Sequence, residues 1–201
     1  MTLNVGIFVF DDVEVLDFAG PYEVFTTAAR VYARAFPAEK AAYNVFTIAQ
    51  SDGPVRARAG LVVSPDHDFI DHPKIDVLIV PGGVVTAELS KADVIKWIAT
   101  TSALAELTAS VCTGAFLLAQ AGLLHGLNAT THWEDLDDLR TMFPSLMVQP
   151  NVRWVDEGKL ITSAGISAGI DMSLHIVEET MSRDWALKTA RQMDFDWTEN
   201  H

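Results

Sequence analysis

The sequence predicts an α/β sandwich with a mainly parallel sheet, and three observations carry that expectation. Leu3–Phe10 and Asp76–Val80 are short, largely apolar runs without the polar alternation of a half-exposed strand, so they read as strands buried on both faces. Strand patterns alternate with helical ones along the chain, the rhythm of βαβ units. Several strands run directly into acidic, glycine or small residues at their carboxyl ends, where open parallel sheets gather ligands.

Taken in order, Leu3–Phe10 is the first strand, closed by Asp11 and Asp12. Pro21 suits the first turn of a helix reaching to about Phe36, with Val24, Phe25, Ala28 and Val31 on its apolar face and Pro37 as its stop. Tyr43–Ala49 follows as a strand. Val55–Ser64, broken by Gly60, reads as two short strands joined by a turn. Asp76–Val80 ends in Pro81-Gly82-Gly83, and a helix runs from about Ala87 to Thr100. Thr101–Ala109 is a helix end or connector entering a short apolar strand, and Ala115–Ala121 is a helix closed by Gly122. A strand is expected over 128–131 and a helix over 135–142. Strands over 152–155 and 160–163 flank the hairpin turn Asp156-Glu157-Gly158-Lys159. Helices from about Gly169 to Met181 and from Trp185 to Met193 complete the pattern. No repeat, low-complexity linker or composition break interrupts it, so residues 1–201 are read as one domain.

Composition narrows the function classes. With 49% hydrophobic residues in 201, a packed core is expected and disorder is not. A net charge of −13, with only 14 Lys and Arg, argues against nucleic acid as a partner. The single cysteine excludes an internal disulfide framework and suits a reducing compartment. Residues 1–10 carry no basic n-region or cleavage site, and no apolar run reaches the ~18 residues that span a bilayer. A soluble, cytoplasmic protein without a membrane partner is expected. His67, His72, His125, His175 and His201 show no ligand spacing, so no metal site is expected.

The one cysteine sits in the most informative segment, Ala109-Ser110-Val111-Cys112-Thr113-Gly114-Ala115. A strand precedes it and a helix follows, with small residues Ser110 and Gly114 at two-residue spacing. That is the layout of a nucleophile elbow with cysteine for serine and Ser110 for the first glycine. A thiol there faces unpaired N–H groups, which would lower its pKa. A buried free cysteine acting as a small hydrophobe is the alternative. A thiol nucleophile needs an acid–base partner and donors for developing charge. Asp17, in the apolar stretch Leu16-Asp17-Phe18-Ala19-Gly20-Pro21, is the candidate proton carrier if buried, and otherwise a helix cap or a solvated loop acid. The amides of Gly83 and Thr113 are candidate oxyanion donors, whereas Gly82-Gly83 also fits an ordinary tight turn.

These segments together resemble the ThiJ/PfpI superfamily along nearly the whole chain. The resemblance rests on residues 16–25, 76–83 and Ser110-Val111-Cys112-Thr113-Gly114. Ala121-Gly122-Leu123-Leu124, Ala129-Thr130-Thr131-His132-Trp133 and residues 162–171 extend it. It implies a flavodoxin-like fold with a cysteine elbow, and a homodimer with the helix from Pro21 near the interface. Phe18, Tyr22 and Phe25 are expected there to form one sticky face. Thr113 stands where protease-like members carry histidine, and Asp17 where glyoxalase-like and redox-protective members carry glutamate. The pairing is instead similar to the isocyanide hydratase branch and to the amidase-like sensor domain of AraC-type regulators. The resemblance thus implies catalytic roles for Cys112, Asp17 and Thr113, with Gly82, Gly83 and His132 lining the substrate site. His132 reads equally as a structural histidine satisfied by backbone, and Trp133 as core or dimer contact. Cysteine-dependent hydration of isonitriles to N-substituted formamides is the leading expectation, and this chemistry requires no cofactor. A small-molecule sensor, or a redox-responsive or glyoxalase-like stress protein, is the alternative.

Overall fold

The computed structural model describes residues 2–200, so His201 lies outside the described residues. The strands are β1 (Leu3–Phe8), β2 (Tyr43–Ala49), β3 (Val55–Arg56), β4 (Val62–Val63), β5 (His67–Asp68), β6 (Val77–Val80), β7 (Leu107–Val111), β8 (Asn128–Ala129), β9 (Met147–Val148), β10 (Trp154–Asp156) and β11 (Leu160–Ser163). The helices are α1 (Val15–Ala35), α2 (Thr86–Leu89), α3 (Ala92–Leu104), α4 (Gly114–Gln120), α5 (Leu136–Met142), α6 (Ala168–Thr180) and α7 (Arg183–Gln192).

Seven strands make one sheet in the order β10-β11-β7-β6-β1-β2-β5, parallel except where β10 runs antiparallel to β11. The fold is therefore an α/β sandwich with a mostly parallel sheet, as the apolar runs predict. Ile7, Phe8, Leu78, Ile79, Ala109 and Val111 of the three central strands have no exposure, because helices cover both sides of a parallel sheet. α1, α6 and α7 pack on one another, and α2, α3 and α4 form a second group. From β1 the chain builds outward to β2 and β5, then returns to β6 on the other side of β1 and continues to β7 and β11. The strand order thus reverses between β1 and β6, and the crevice at their carboxyl ends is where such sheets place a site.

Three expectations are corrected. The first helix begins at Val15 rather than Pro21, with the Glu14 side chain accepting the Val15 N–H at 3.2 Å. Pro21 lies inside α1, where it lacks only the N–H that would reach the Asp17 carbonyl. Asp17 therefore stands in the first helical turn, not in a loop. Second, Phe18 and Phe25 are buried and only Tyr22 is exposed, so the three share no outward face. Phe25 packs edge-on against Tyr43, with centroids 5.2 Å apart. Third, Trp133 is 72% exposed and is not core. Smaller differences are local: the helix over 87–100 divides into α2 and α3, and the two-residue strands β5 and β9 left no readable pattern. Among the described residues, no helix is long and apolar enough to cross a membrane.

Candidate functional site

Cys112 occupies the link between β7 and α4 with φ +56°, a left-handed conformation costing a non-glycine residue roughly 1–2 kcal/mol. The strain is held from several sides. The Cys112 N–H is shared between the carbonyls of Ser163 and Ala164 at 3.2 and 3.3 Å, and the Thr131 hydroxyl donates to the Cys112 carbonyl at 2.8 Å. α4 must start with glycine, since a Cβ on Gly114 would stand 2.1 Å from the Val80 carbonyl oxygen. The result is the elbow that the sequence suggests, with the thiol aimed over the strand ends.

Asp17 comes to Cys112 from the first turn of α1 and has no exposure at all. Its Oδ2 accepts the Gly82 N–H at 3.1 Å, while its Oδ1 has no hydrogen-bond partner among the described residues. Burial pushes this carboxyl up to about 7. The Gly82 N–H opposes the shift, Glu14 adds to it, and the neighbouring Cys112 thiol, close by but in no formed hydrogen bond to Oδ1, opposes it weakly. Asp17 is thus neither of the bland alternatives, cap or solvated acid.

The thiol departs from expectation. The Thr113 and Ile166 N–H groups do favour a thiolate, but burial and the Asp17 charge outweigh them and push Cys112 up to about 12. At rest the sulfur is protonated beside a carboxyl that titrates near neutrality. That removes the low-pKa premise behind a spontaneously oxidising thiolate. The oxyanion assignment also changes. The Gly83 N–H donates to Thr113 Oγ1 at 2.9 Å and the Thr113 hydroxyl donates back to the Gly83 carbonyl at 2.9 Å. With the Gly82 N–H on Asp17, neither glycine has an amide to spare. Thr113 is a clamp on the loop after β6, and the amides against the sulfur are those of Thr113 and Ile166.

A cavity of about 220 Å³ opens onto Cys112, walled by Thr113, Gly83, His132, Ile166, Glu14, Arg58, Glu134 and Asp135. Arg58 arrives on the turn between β3 and β4, whose backbone is tied to the loop after β1 by the Arg58 N–H to Val13 O at 3.0 Å. It pairs with Glu14 at 3.0 Å. His132 Nδ1 lies 3.4 Å from both the Glu134 N–H nitrogen and Asp135 Oδ2, and the Cδ2 edge of its ring lies close against Gly165. It both lines the pocket and is satisfied locally. Burial pushes the Asp135 carboxyl up, and His132 opposes the shift. Arg58, Glu14, Glu134, Asp135 and Ile166 are the wall residues absent from the sequence reading. Glu134 and Asp135 adjoin His132 and were within its reach; Arg58 and Ile166 carry no spacing signal. Among the described residues, no three His, Cys, Asp or Glu side chains gather as metal ligands would.

The DJ-1/PfpI family model matches residues 4–179. The chain is 34% identical to an isonitrile hydratase of Pseudomonas putida, over 97% of this chain and 79% of that protein. It is 26% identical to the HTH-type transcriptional regulator GbdR of Pseudomonas aeruginosa, over 90% of this chain and 47% of that longer protein. Among solved structures, a ThiJ/PfpI family protein from Pseudomonas syringae superposes with a TM-score of 0.85 at 29% identity, covering 98% of this chain and 76% of that one. Drosophila melanogaster DJ-1beta superposes at 0.81 with 18% identity, over 98% of this chain and all of that one, and shares the fold. By its sequence and its fold, the chain belongs to the DJ-1/PfpI family.

Proposed function

We propose that the chain hydrates isonitriles to N-substituted formamides, with Cys112 as nucleophile and Asp17 as proton carrier. One observation carries the reading: a fully buried carboxyl held near pKa 7 stands beside a protonated thiol at the floor of a small cavity. The similarity to an isonitrile hydratase supports it. Asp17 takes the thiol proton as sulfur adds to the terminal carbon of R–N≡C, and passes that proton to the same carbon. The product is the thioimidate R–N=CH–S–Cys112. Water then adds to this carbon, one of its protons passing to the nitrogen and the other to Asp17. The C–S bond breaks, the departing thiolate recovers the proton from Asp17, and R–NH–CHO leaves. One water is consumed and no electrons change hands, so no cofactor is called for. The Thr113 and Ile166 amides stabilise sulfur while it is anionic. Thr113, through Gly83, holds the loop whose Gly82 N–H fixes Asp17. We extend the reading to a homodimer in solution, which sedimentation would check.

A second reading, a small-molecule sensor, draws on the similarity to HTH-type regulators and on a thiol that rests protonated. The two are separated by incubating purified protein with a small alkyl isonitrile and following the formamide by chromatography. Formamide from wild type and none from Cys112→Ala supports hydration. No turnover, together with metabolite binding that survives Cys112→Ala, supports the sensor.

A further inference from the structure

Residues 194–200 lie beyond the stretch matched by the family model and form a strap without helix or strand after α7. Met193, Phe195 and Trp197 pack against the core in alternation with exposed neighbours. Arg183 fastens the strap, lying over the Trp197 ring at 5.5 Å and pairing with Glu199 at 2.8 Å. Three residues of the strap then reach the ion pair of buried Asp171 with half-buried Arg153, and the strand beside it. The Thr198 N–H donates to Asp171 Oδ1 at 2.8 Å, and Trp197 Nε1 donates to the Asp171 carbonyl at 3.1 Å. The Asn200 carboxamide accepts the Arg153 N–H at 2.8 Å and donates to the Trp154 carbonyl at 2.7 Å, pairing with the edge strand as a backbone would.

Arg153 faces the site on its other side. Its guanidinium grips the fully buried Asp171, with Nε at 2.8 Å, and reaches Ser167 Oγ at 3.3 Å, while its carbonyl accepts the Ala164 N–H at 2.9 Å. Arg153 therefore holds both ends of the turn Ala164-Gly165-Ile166-Ser167. That turn gives the Ala164 carbonyl to the Cys112 N–H, sets the Ile166 N–H against the sulfur, and backs the His132 ring with Gly165. Ile166 keeps a left-handed φ of +49°, unfavourable for a β-branched residue and stable only where neighbours impose it.

We propose that Arg153 is a positioning residue for the Cys112 site, and that the C-terminal strap, through Trp197, Thr198 and Asn200, locks the Arg153–Asp171 pair that aims the Ile166 amide at the sulfur. The inference rests on the reading of Cys112 as nucleophile but not on the isonitrile as substrate.

Alkylation of Cys112 by iodoacetamide, followed by mass spectrometry from pH 7 to 10, tests it without any substrate. Below the thiol pKa the rate follows the thiolate fraction, so losing one donor to sulfur should slow it roughly tenfold at every pH. The other charged groups facing Cys112 stay in every variant: Asp17 behind it, and Glu14, Arg58, His132, Glu134 and Asp135 around the cavity. Arg153→Gln should show the full slowing and Arg153→Lys part of it. Trp197→Ala and Asn200→Ala should slow the reaction about threefold, and they stand in if Arg153→Gln does not fold. A role confined to stability would loosen the site and speed alkylation. Unchanged or faster alkylation in these variants therefore overturns the proposal. Failure of wild type to turn over isonitrile would overturn the hydratase reading and leave this measurement intact.

Discussion

Asp17 and Asp171 stand in the first turns of α1 and α6, and neither has any solvent exposure. Their surroundings differ in one respect. The Asp171 carboxylate is met on both oxygens, by the Arg153 guanidinium and the Thr198 N–H, which oppose but do not cancel the upward push of burial. The Asp17 carboxyl has the Gly82 N–H on one oxygen and, among the described residues, no hydrogen-bond partner on the other, and it rises to about 7. A buried acid whose lone pairs are all used is scaffold. A buried acid left short of partners is costly to fold and ready to exchange a proton, which is the state a proton carrier needs.

The sharpest way to break this contrast is Asp17→Asn. An amide does not relay a proton, so kcat/KM for an isonitrile should fall by roughly 10²–10⁴, measured by formamide production. Stability should move the other way as pH rises. The folded carboxyl keeps its proton up to about pH 7, whereas the unfolded one loses it near 3.8. Between those values the folded state binds more protons, so the contribution of Asp17 to stability is fully present below pH ~4 and is lost as pH rises through 7. Urea unfolding should show the Asn variant gaining on wild type by on the order of 4 kcal/mol from pH 4 to pH 8. A flat difference across that range would mean that Asp17 is ionised in the folded state.

Asp171→Asn should behave as the counterpart. Breaking a buried pair costs about 3–5 kcal/mol when both partners are buried. Arg153 is 32% exposed at its side chain and recovers some hydration, so a loss of ~2–3 kcal/mol in urea unfolding is expected. Thr113→Val comes next. It removes both hydrogen bonds to Gly83 and frees the loop that presents the Gly82 N–H to Asp17. About 1–2 kcal/mol of stability and roughly tenfold in kcat should be lost, with KM little changed. A rise in KM alone would make Thr113 a substrate contact instead of a clamp.

Much of this site was legible because its parts lie at strand ends, where apolar runs stop at Asp11, Pro81-Gly82-Gly83 and Cys112. Local pattern fixes those stops. It misplaced the start of α1 because Pro21 resembles a first-turn proline, while the true start depends on the Glu14 cap and on burial of Phe18. It reversed the direction of the thiol pKa because burial and the Asp17 charge are tertiary facts, whereas the turn before α4 is a local one. Arg58 and Ile166 stayed hidden for the same reason. Each reaches the cavity on a turn carrying a left-handed residue that is not glycine, Ala59 in one case and Ile166 itself in the other.

The smallest effect expected probes the turn that joins the two aspartate environments. A Cβ on Gly165 would stand 2.0 Å from His132 Cδ2, closer than any real contact, so Gly165→Ala must displace the ring. The His132 side chain is 17% exposed at the cavity wall and has room to swing toward solvent, so unfolding should shift by less than about 1 kcal/mol. The cost should fall on substrate fit: KM rising about three- to tenfold with kcat within roughly twofold. A double-mutant cycle identifies the cause. If the ring carries the effect, Gly165→Ala should add little in a His132→Ala background. If the two changes are additive, the substitution acts by moving the turn itself, and with it the Ile166 amide. The expected split would then reverse, with kcat falling and KM unchanged.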